Sequence, residues 1–266
     1  MTRALEALKL ADKAVGEERN AVVQCILRGG LNFELRNALA EAYGWEQHSG
    51  GFFSSQRAFG GKKGWHITEA NYQKPILIQD ADWVIADVVA TGVSLEHTLL
   101  RLIHKSRKKG KSVRRITFFT IGSARAQDLV AQADALCRKA FQNHYLGAKV
   151  VYIEGIFGVG EEDSPLRIVT PGTDLLRHPA KLAPEFLESQ SEHASNPIQG
   201  CTIYDAGSRA FDPRADLEEV ARYWIAVLTL ASQGVTYKEY LTERFPIDPR
   251  LSQEIPDEWG DPAWLK

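Results

Sequence analysis

The stretch ADWVIADVVATGVSLEHTLL, residues 81–100, decides how the rest of the chain is read. Trp83 to Val89 is an apolar, β-branched run interrupted by one acid, Asp87. A carboxylate at the end of a hydrophobic strand is costly to bury unless a partner or a ligand meets it there. The run turns through Ala90, Thr91, Gly92, Val93 and Ser94 into helical spacing from Ser94 to about Lys109, closed by Gly110. Small and hydroxyl residues between a strand and a helix let backbone amides wrap around an anion, where the helix dipole favours negative charge. Thr91 and Ser94 add hydroxyl donors. Asp87 is expected on the rim, placed to accept hydrogen bonds from sugar hydroxyls beside a phosphate. An ordinary β–turn–α connection with Asp87 as a capping acid fits the same spacing.

Upstream, Asn20–Leu27 is a second buried strand. It breaks at Arg28-Gly29-Gly30 and restarts as a helix from an Asn32 N-cap to about Tyr43, stopped by Gly44. Gly29 and Gly30 free the backbone for unusual dihedrals, and Arg28 can grip a highly charged group. Residues 45–74 are rich in glycine, serine and aromatics around a basic centre with Arg57, Lys62 and Lys63, which reads as a hairpin or a mobile loop. Downstream follow a strand at 114–121, a helix at 124–140 and a strand at 148–158. An amphipathic helix over 3–18 precedes them all. Strands apolar throughout, alternating with helices, predict an α/β fold with a parallel central sheet flanked by helices. Ligands bind such sheets beyond the carboxyl ends of the strands, where both unusual turns fall.

The bulk numbers fit this reading. The 266 residues carry a net charge of -2, so nothing points to wholesale binding of nucleic acid or anionic membrane. Cys25, Cys137 and Cys201 lie far apart without metal-type spacing, which makes a reducing cytoplasm the expected compartment. No signal-peptide core and no run of membrane-spanning length is visible. Residues 159–200 read as an irregular, proline-bearing insertion. Pro213 opens a helix to about Gln233, and Thr236 is spaced from Glu239 as in a capping box. These segments divide the chain into a domain at 1–212 and a C-terminal helical extension at 213–266.

VIADVVATGVS resembles the signature of type I phosphoribosyltransferases, in which an apolar strand, acids and a Thr-Gly turn bind the ribose 5-phosphate of phosphoribosyl pyrophosphate. ILRGGL is similar to the pyrophosphate loop of the uracil phosphoribosyltransferase branch, and YDAGSRAF (204–211) to that branch's late loop beside the base. The three pieces occur in the family's order. The resemblance implies that Asp87, Arg28 and Asp205 carry the reaction. Ala90, Thr91, Gly92, Val93 and Ser94 would hold the 5-phosphate, and Arg28, Gly29 and Gly30 the pyrophosphate. Arg57, Lys62 and Lys63 would sit on a flap over it. Ile203, Tyr204, Ala206, Gly207 and Arg209 would face the base, with Asp205 touching a magnesium ion indirectly. Magnesium accompanies phosphoribosyl pyrophosphate in this scheme, and a hood is rebuilt in the 159–200 insertion.

The chain departs from that pattern in named places. Ala86 stands where an acid is usual, Val93 where glycine is common, and Tyr204 and Ser208 replace a glycine and an acid. Transfer to a base other than uracil, a nucleotide-binding regulator of a partner protein or RNA, and a hydrolase in the same pocket all remain open. Trp45, Trp65 and Trp83 read mainly as packing groups. The basic segment 104–112 reads as a solvated helix end favoured by the dipole. Trp224, Leu228 and Tyr223 would form either core or the face of a homodimer.

Overall fold

The computed structural model describes residues 1–11, 15–27, 29–59, 65–70, 72–160, 175–184, 213–236 and 239. It comprises two compact units, Met1–Ile153 and Glu154–Lys266. The expected partition at residue 212 lies outside the described residues.

In the first unit the strands are β1 (Ala21–Leu27), β2 (Ser49–Ser54), β3 (Gln56–Phe59), β4 (Trp65–Glu69), β5 (Gln73–Lys74), β6 (Ala81–Val89), β7 (Val113–Ser123) and the start of β8 (Gly147–Val159). The main sheet runs β5-β2-β1-β6-β7-β8, while β3 and β4 form a separate two-stranded sheet. β1 pairs in parallel with β2 and with β6, and β6 in parallel with β7; short β5 is an antiparallel edge on β2. The parallel α/β architecture expected from the sequence is therefore present.

Helices cover both faces of the sheet, which is why successive residues of its central strands are buried and mostly apolar. α1 (Thr2–Leu10) and α2 (Leu35–Tyr43) set Leu5, Leu35, Ala38 and Leu39 against Val23, Val84, Ala86 and Phe119. α3 (Val93–Lys108) and α4 (Arg125–Phe141) set Leu95, Leu99, Leu102, Leu129 and Ala133 against Val22, Trp83, Ile85 and Phe118 on the other face. Trp83 is thus a core residue.

Several expectations are corrected. The first helix ends at Leu10, not at residue 18. α2 begins at Leu35 after a left-handed Glu34, because residues 29–33 form a 3-10 turn; Asn32 lies inside that turn and is not a helix cap. The 45–74 segment contains a full parallel strand, β2, as well as the β3–β4 hairpin. Its glycines hid it: Gly51 is needed because a side chain there would strike the buried Gln24 amide, which occupies the space by donating to the Ile76 carbonyl at 3.1 Å.

In the second unit, residues 155–159 of β8 pair antiparallel with β9 (Leu175–Leu182), a strand inside the segment expected to be irregular. α5 (Pro213–Ser232) buries Val227, Leu230 and Ala231 and exposes Trp224, Ile225 and Leu228. Thr236 and Glu239 form the expected reciprocal capping box, at 2.8 and 3.1 Å. No described helix is long and apolar enough to cross a membrane.

The amino end of β6 is closed by a buried ion pair. Asp82 is fully buried and accepts from Arg114 Nε at 2.9 Å, from a second Arg114 nitrogen, and from the Glu17 amide at 2.9 Å. Its partners hold Arg114 firmly in the charged state. Removing one partner of a buried pair strands the other charge, so Arg114→Ala is expected to destabilise the fold by ~3 kcal/mol or more. Glu17, mostly exposed, should cost under about 1 kcal/mol when changed to Gln. Urea unfolding of the two variants measures the contrast.

Candidate anion and sugar site

The chain leaves β1 to one side through α2 into β2, and leaves β6 to the other side through α3 into β7. β1 and β6 are adjacent, so their carboxyl ends flank the point where the winding reverses, and the crevice of an open α/β sheet forms there. Both singled-out turns sit on its lips.

Gly29–Phe33 folds as a 3-10 turn directly onto the end of β6. A Cβ on Gly30 would lie 2.5 Å from the Ala86 carbonyl oxygen, and one on Gly29 would collide with Asp87 Oδ1. Neither glycine adopts positive φ. They are required for close approach and not for the unusual dihedrals expected of them. Phe33, buried against α2, anchors the far end of the turn.

Asp87 does not sit on an open rim. It is 7% exposed beneath Gly29, and its Oδ1 accepts from the Val88 amide at 2.9 Å. Burial pushes its carboxyl up to about 7, opposed by the Val88 amide and by the charge of Arg57. Arg57 stands on the β3–β4 hairpin with its guanidinium 5.2 Å from the Trp65 ring centre, and the hairpin lies along α3. The Ser54 amide closes its base by donating to the Tyr72 carbonyl at 2.8 Å.

The second turn is fixed by glycine in a different way. Gly92 is the N-cap of α3 at φ +79°, and a Cβ there would collide with Leu129 Cδ1 and lie 3.2 Å from Arg125 Cγ. The helix starts at Val93, one residue earlier than expected, and its N-cap contributes no side-chain hydrogen bond. The first amides of α3 consequently lack intrahelical acceptors and point out of the helix end. Beside them, Thr91 Oγ1 is sealed from solvent and has no hydrogen-bond partner among the described residues. β7 holds the turn in shape: Ser123 Oγ donates to the Ala90 carbonyl at 2.7 Å, Thr120 Oγ1 to the Asp87 carbonyl at 2.8 Å, and Tyr152 to the Ser123 carbonyl at 3.0 Å.

Gly29, Gly30, Arg57, Asp87 and residues 90–94 thus gather at one edge of the sheet. Arg28, Lys62, Lys63, Ile203, Tyr204, Asp205, Ala206, Gly207 and Arg209 lie outside the described residues. Two neighbours were missed in the sequence, Ser123 and Arg125. The signal was available, because GSARAQ also follows the carboxyl end of a central strand. Among the described residues no group of three or more His, Cys, Asp or Glu side chains could hold a metal ion.

No protein-family model matches the chain, and no curated protein matches it. Solved structures do. A protein from Aquifex aeolicus is 20% identical, with 53% of this chain and 58% of that one covered and a TM-score of 0.36. A hypoxanthine-guanine phosphoribosyltransferase from Bacillus anthracis is 16% identical over 46% and 64%, at 0.31. A purine phosphoribosyltransferase from Pyrococcus horikoshii is 18% identical over 60% and 91%, also at 0.31. The chain spans less than two thirds of the length of the first two.

The Asp87 environment makes a pH prediction. Its folded value, about 7, lies above the 3.8 of a free aspartate, so the folded state holds the extra proton between those limits. Its contribution to stability is therefore greatest at low pH, falls as pH rises from about 4 to about 7, and is constant above. Asp87→Asn should be more stable than wild type by a few kcal/mol above pH 7, the gap closing toward pH 4. Thermal or urea unfolding across that range reads it. Gly30→Ala, by contrast, should cost ~1–3 kcal/mol at every pH, because the carbonyl it strikes is backbone.

Proposed function

We propose that the carboxyl edge of the β1–β6 pair binds a phosphorylated ribose and that the chain is a phosphoribosyltransferase-like enzyme, transferring the phosphoribosyl group of phosphoribosyl pyrophosphate to a nitrogenous acceptor. The observation that carries this reading is the juxtaposition of a buried, weakly partnered carboxylate with a turn of unsatisfied donors. Asp87 needs groups that donate to it, and the Ala90–Ser94 turn needs an acceptor. A sugar phosphate is both at once: its hydroxyls meet the acid and its phosphate fills the turn.

In such a transfer the C1–pyrophosphate bond breaks and the C1–nitrogen bond forms through an oxocarbenium-like state. The acceptor's proton leaves to the pyrophosphate or to water. No protein nucleophile is needed, so positioning and exclusion of water are the protein's work. Asp87 would hold the ribose, the Gly29–Gly30 turn would accept the pyrophosphate at close range, and Arg57 on its hairpin would cover both. One carboxylate suits a magnesium ion carried mainly by the phosphates of its own ligand and by water; bound there, the ion would stabilise the leaving group's charge.

One observation favours a second reading, a nucleotide-binding regulator without turnover. Ala86 faces the apolar cluster under α1 and α2, with its carbonyl covered by Gly30, so the second acid is replaced by core packing. Turnover separates the two. Pyrophosphate released from magnesium phosphoribosyl pyrophosphate only when one base of a panel is supplied supports transfer. Saturable binding without release across the panel supports regulation, and release without any base identifies a hydrolase. Under the first outcome Asp87→Asn should lower kcat/KM by ~100-fold or more, the order of loss when charged hydrogen bonds at a reacting centre are removed.

A further inference from the structure

Arg125 is not absorbed by the reading above, yet its place is specific. It is the first residue of α4, and its amide donates to Ser123 Oγ at 3.3 Å, the same hydroxyl that holds the Ala90 carbonyl. Its aliphatic stem lies against Gly92: a Cβ on that glycine would be 3.2 Å from Arg125 Cγ. The side chain is 44% exposed, and among the described residues its guanidinium meets only Asp128, one turn along α4, at 4.0 Å. That is the outer limit of an ion pair and is worth little in solvent. An arginine stem is thus tied to the anion turn while its planar, five-donor head is held by one weak contact. The turn contributes Thr91 Oγ1, closed off from water without a partner, and the free first amides of α3. Those donors are neutral; Arg125 carries a full positive charge on a stem that lies against Gly92.

We propose that Arg125 clamps the anion held by the Ala90–Ser94 turn, selecting a doubly charged phosphate monoester, and that Asp128 draws its guanidinium aside when the turn is empty. The proposal rests on the anion-site reading of that turn. Guanidinium forks match the paired oxygens of a phosphate, and the match strengthens with the second negative charge. Asp128 competes for the same donors and sets a like charge near the incoming phosphate. The two residues should therefore act with opposite sign.

The test is calorimetric titration of the full chain with ribose 5-phosphate at pH 7.5, without base or metal, beside unfolding of each unliganded variant. Arg125→Gln should weaken binding by roughly ten- to a hundredfold, the range for losing a charged hydrogen-bonding partner. Arg125→Lys should recover only part of it. Asp128→Asn should tighten binding several-fold, and none of the three should shift the unliganded melting temperature by more than a few degrees. Wild-type binding that Thr91→Val weakens but Arg125→Gln leaves within twofold overturns the clamp while the turn stands as the anion site. No saturable binding to the wild type removes both ideas together. If Arg125→Gln does not fold, because its stem supports Gly92, Asp128→Asn decides by sign: unchanged or weaker affinity overturns the proposal.

Discussion

Everything at the candidate site depends on the contact between the Gly29–Gly30 turn and the end of β6. Backbone stands on backbone there, with Gly30 over the Ala86 carbonyl and Gly29 over the Asp87 carboxylate. A methyl group on Gly29 would crowd the Asp87 carboxylate and one on Gly30 the Ala86 carbonyl, so neither position accepts a side chain while the turn lies this close. The same contact brings the end of β1 beside the end of β6 at the reversal of winding, where the α/β fold leaves a crevice. Fold and site are joined at two glycines.

Strand β6 carries two buried acids and treats them differently. Asp82, at its amino end, is paired with Arg114 and the Glu17 amide; its charge is satisfied by the protein and its work is structural. Asp87, at the carboxyl end, has the Val88 amide and the more distant field of Arg57, and burial makes it a weak acid. The protein could have paired the second acid as it paired the first. Its remaining acceptor capacity, where the sheet opens, is what the proposed sugar-phosphate reading would use. With Ala86 turned into the core, Asp87 is the single acid at this end of β6.

The legible part of the molecule was its periodicity. Strands β1, β6, β7 and β8 and helices α3 and α4 follow from apolar runs and helical spacing to within a few residues, and the Thr236–Glu239 capping box from a single pair of side chains. What failed was local pattern overridden by long-range contact. β2 carries Gly51 because Gln24 fills the space a side chain would need, and with Gly50 beside it the composition looks like a loop. Asn32 reads as a helix cap, yet the chain is still winding tightly over β6 at that point. Arg125 attracted no notice because its partner, Gly92, is more than thirty residues away in the sequence.

The sequence by itself determined the alternation of strands and helices, the placement of two anion-capable turns at strand ends, and the isolation of one acid between them. Those properties are local: they depend on side-chain volume, hydropathy and neighbours a few residues apart. Only the tertiary structure decided that the glycines serve approach instead of dihedral freedom, that Asp87 is buried and not on a rim, and that Ser123 and Arg125 belong to the same edge. Each of these is set by which strand lies next to which. Adjacency in a parallel sheet is fixed by crossovers tens of residues long, whose path no short stretch of sequence records.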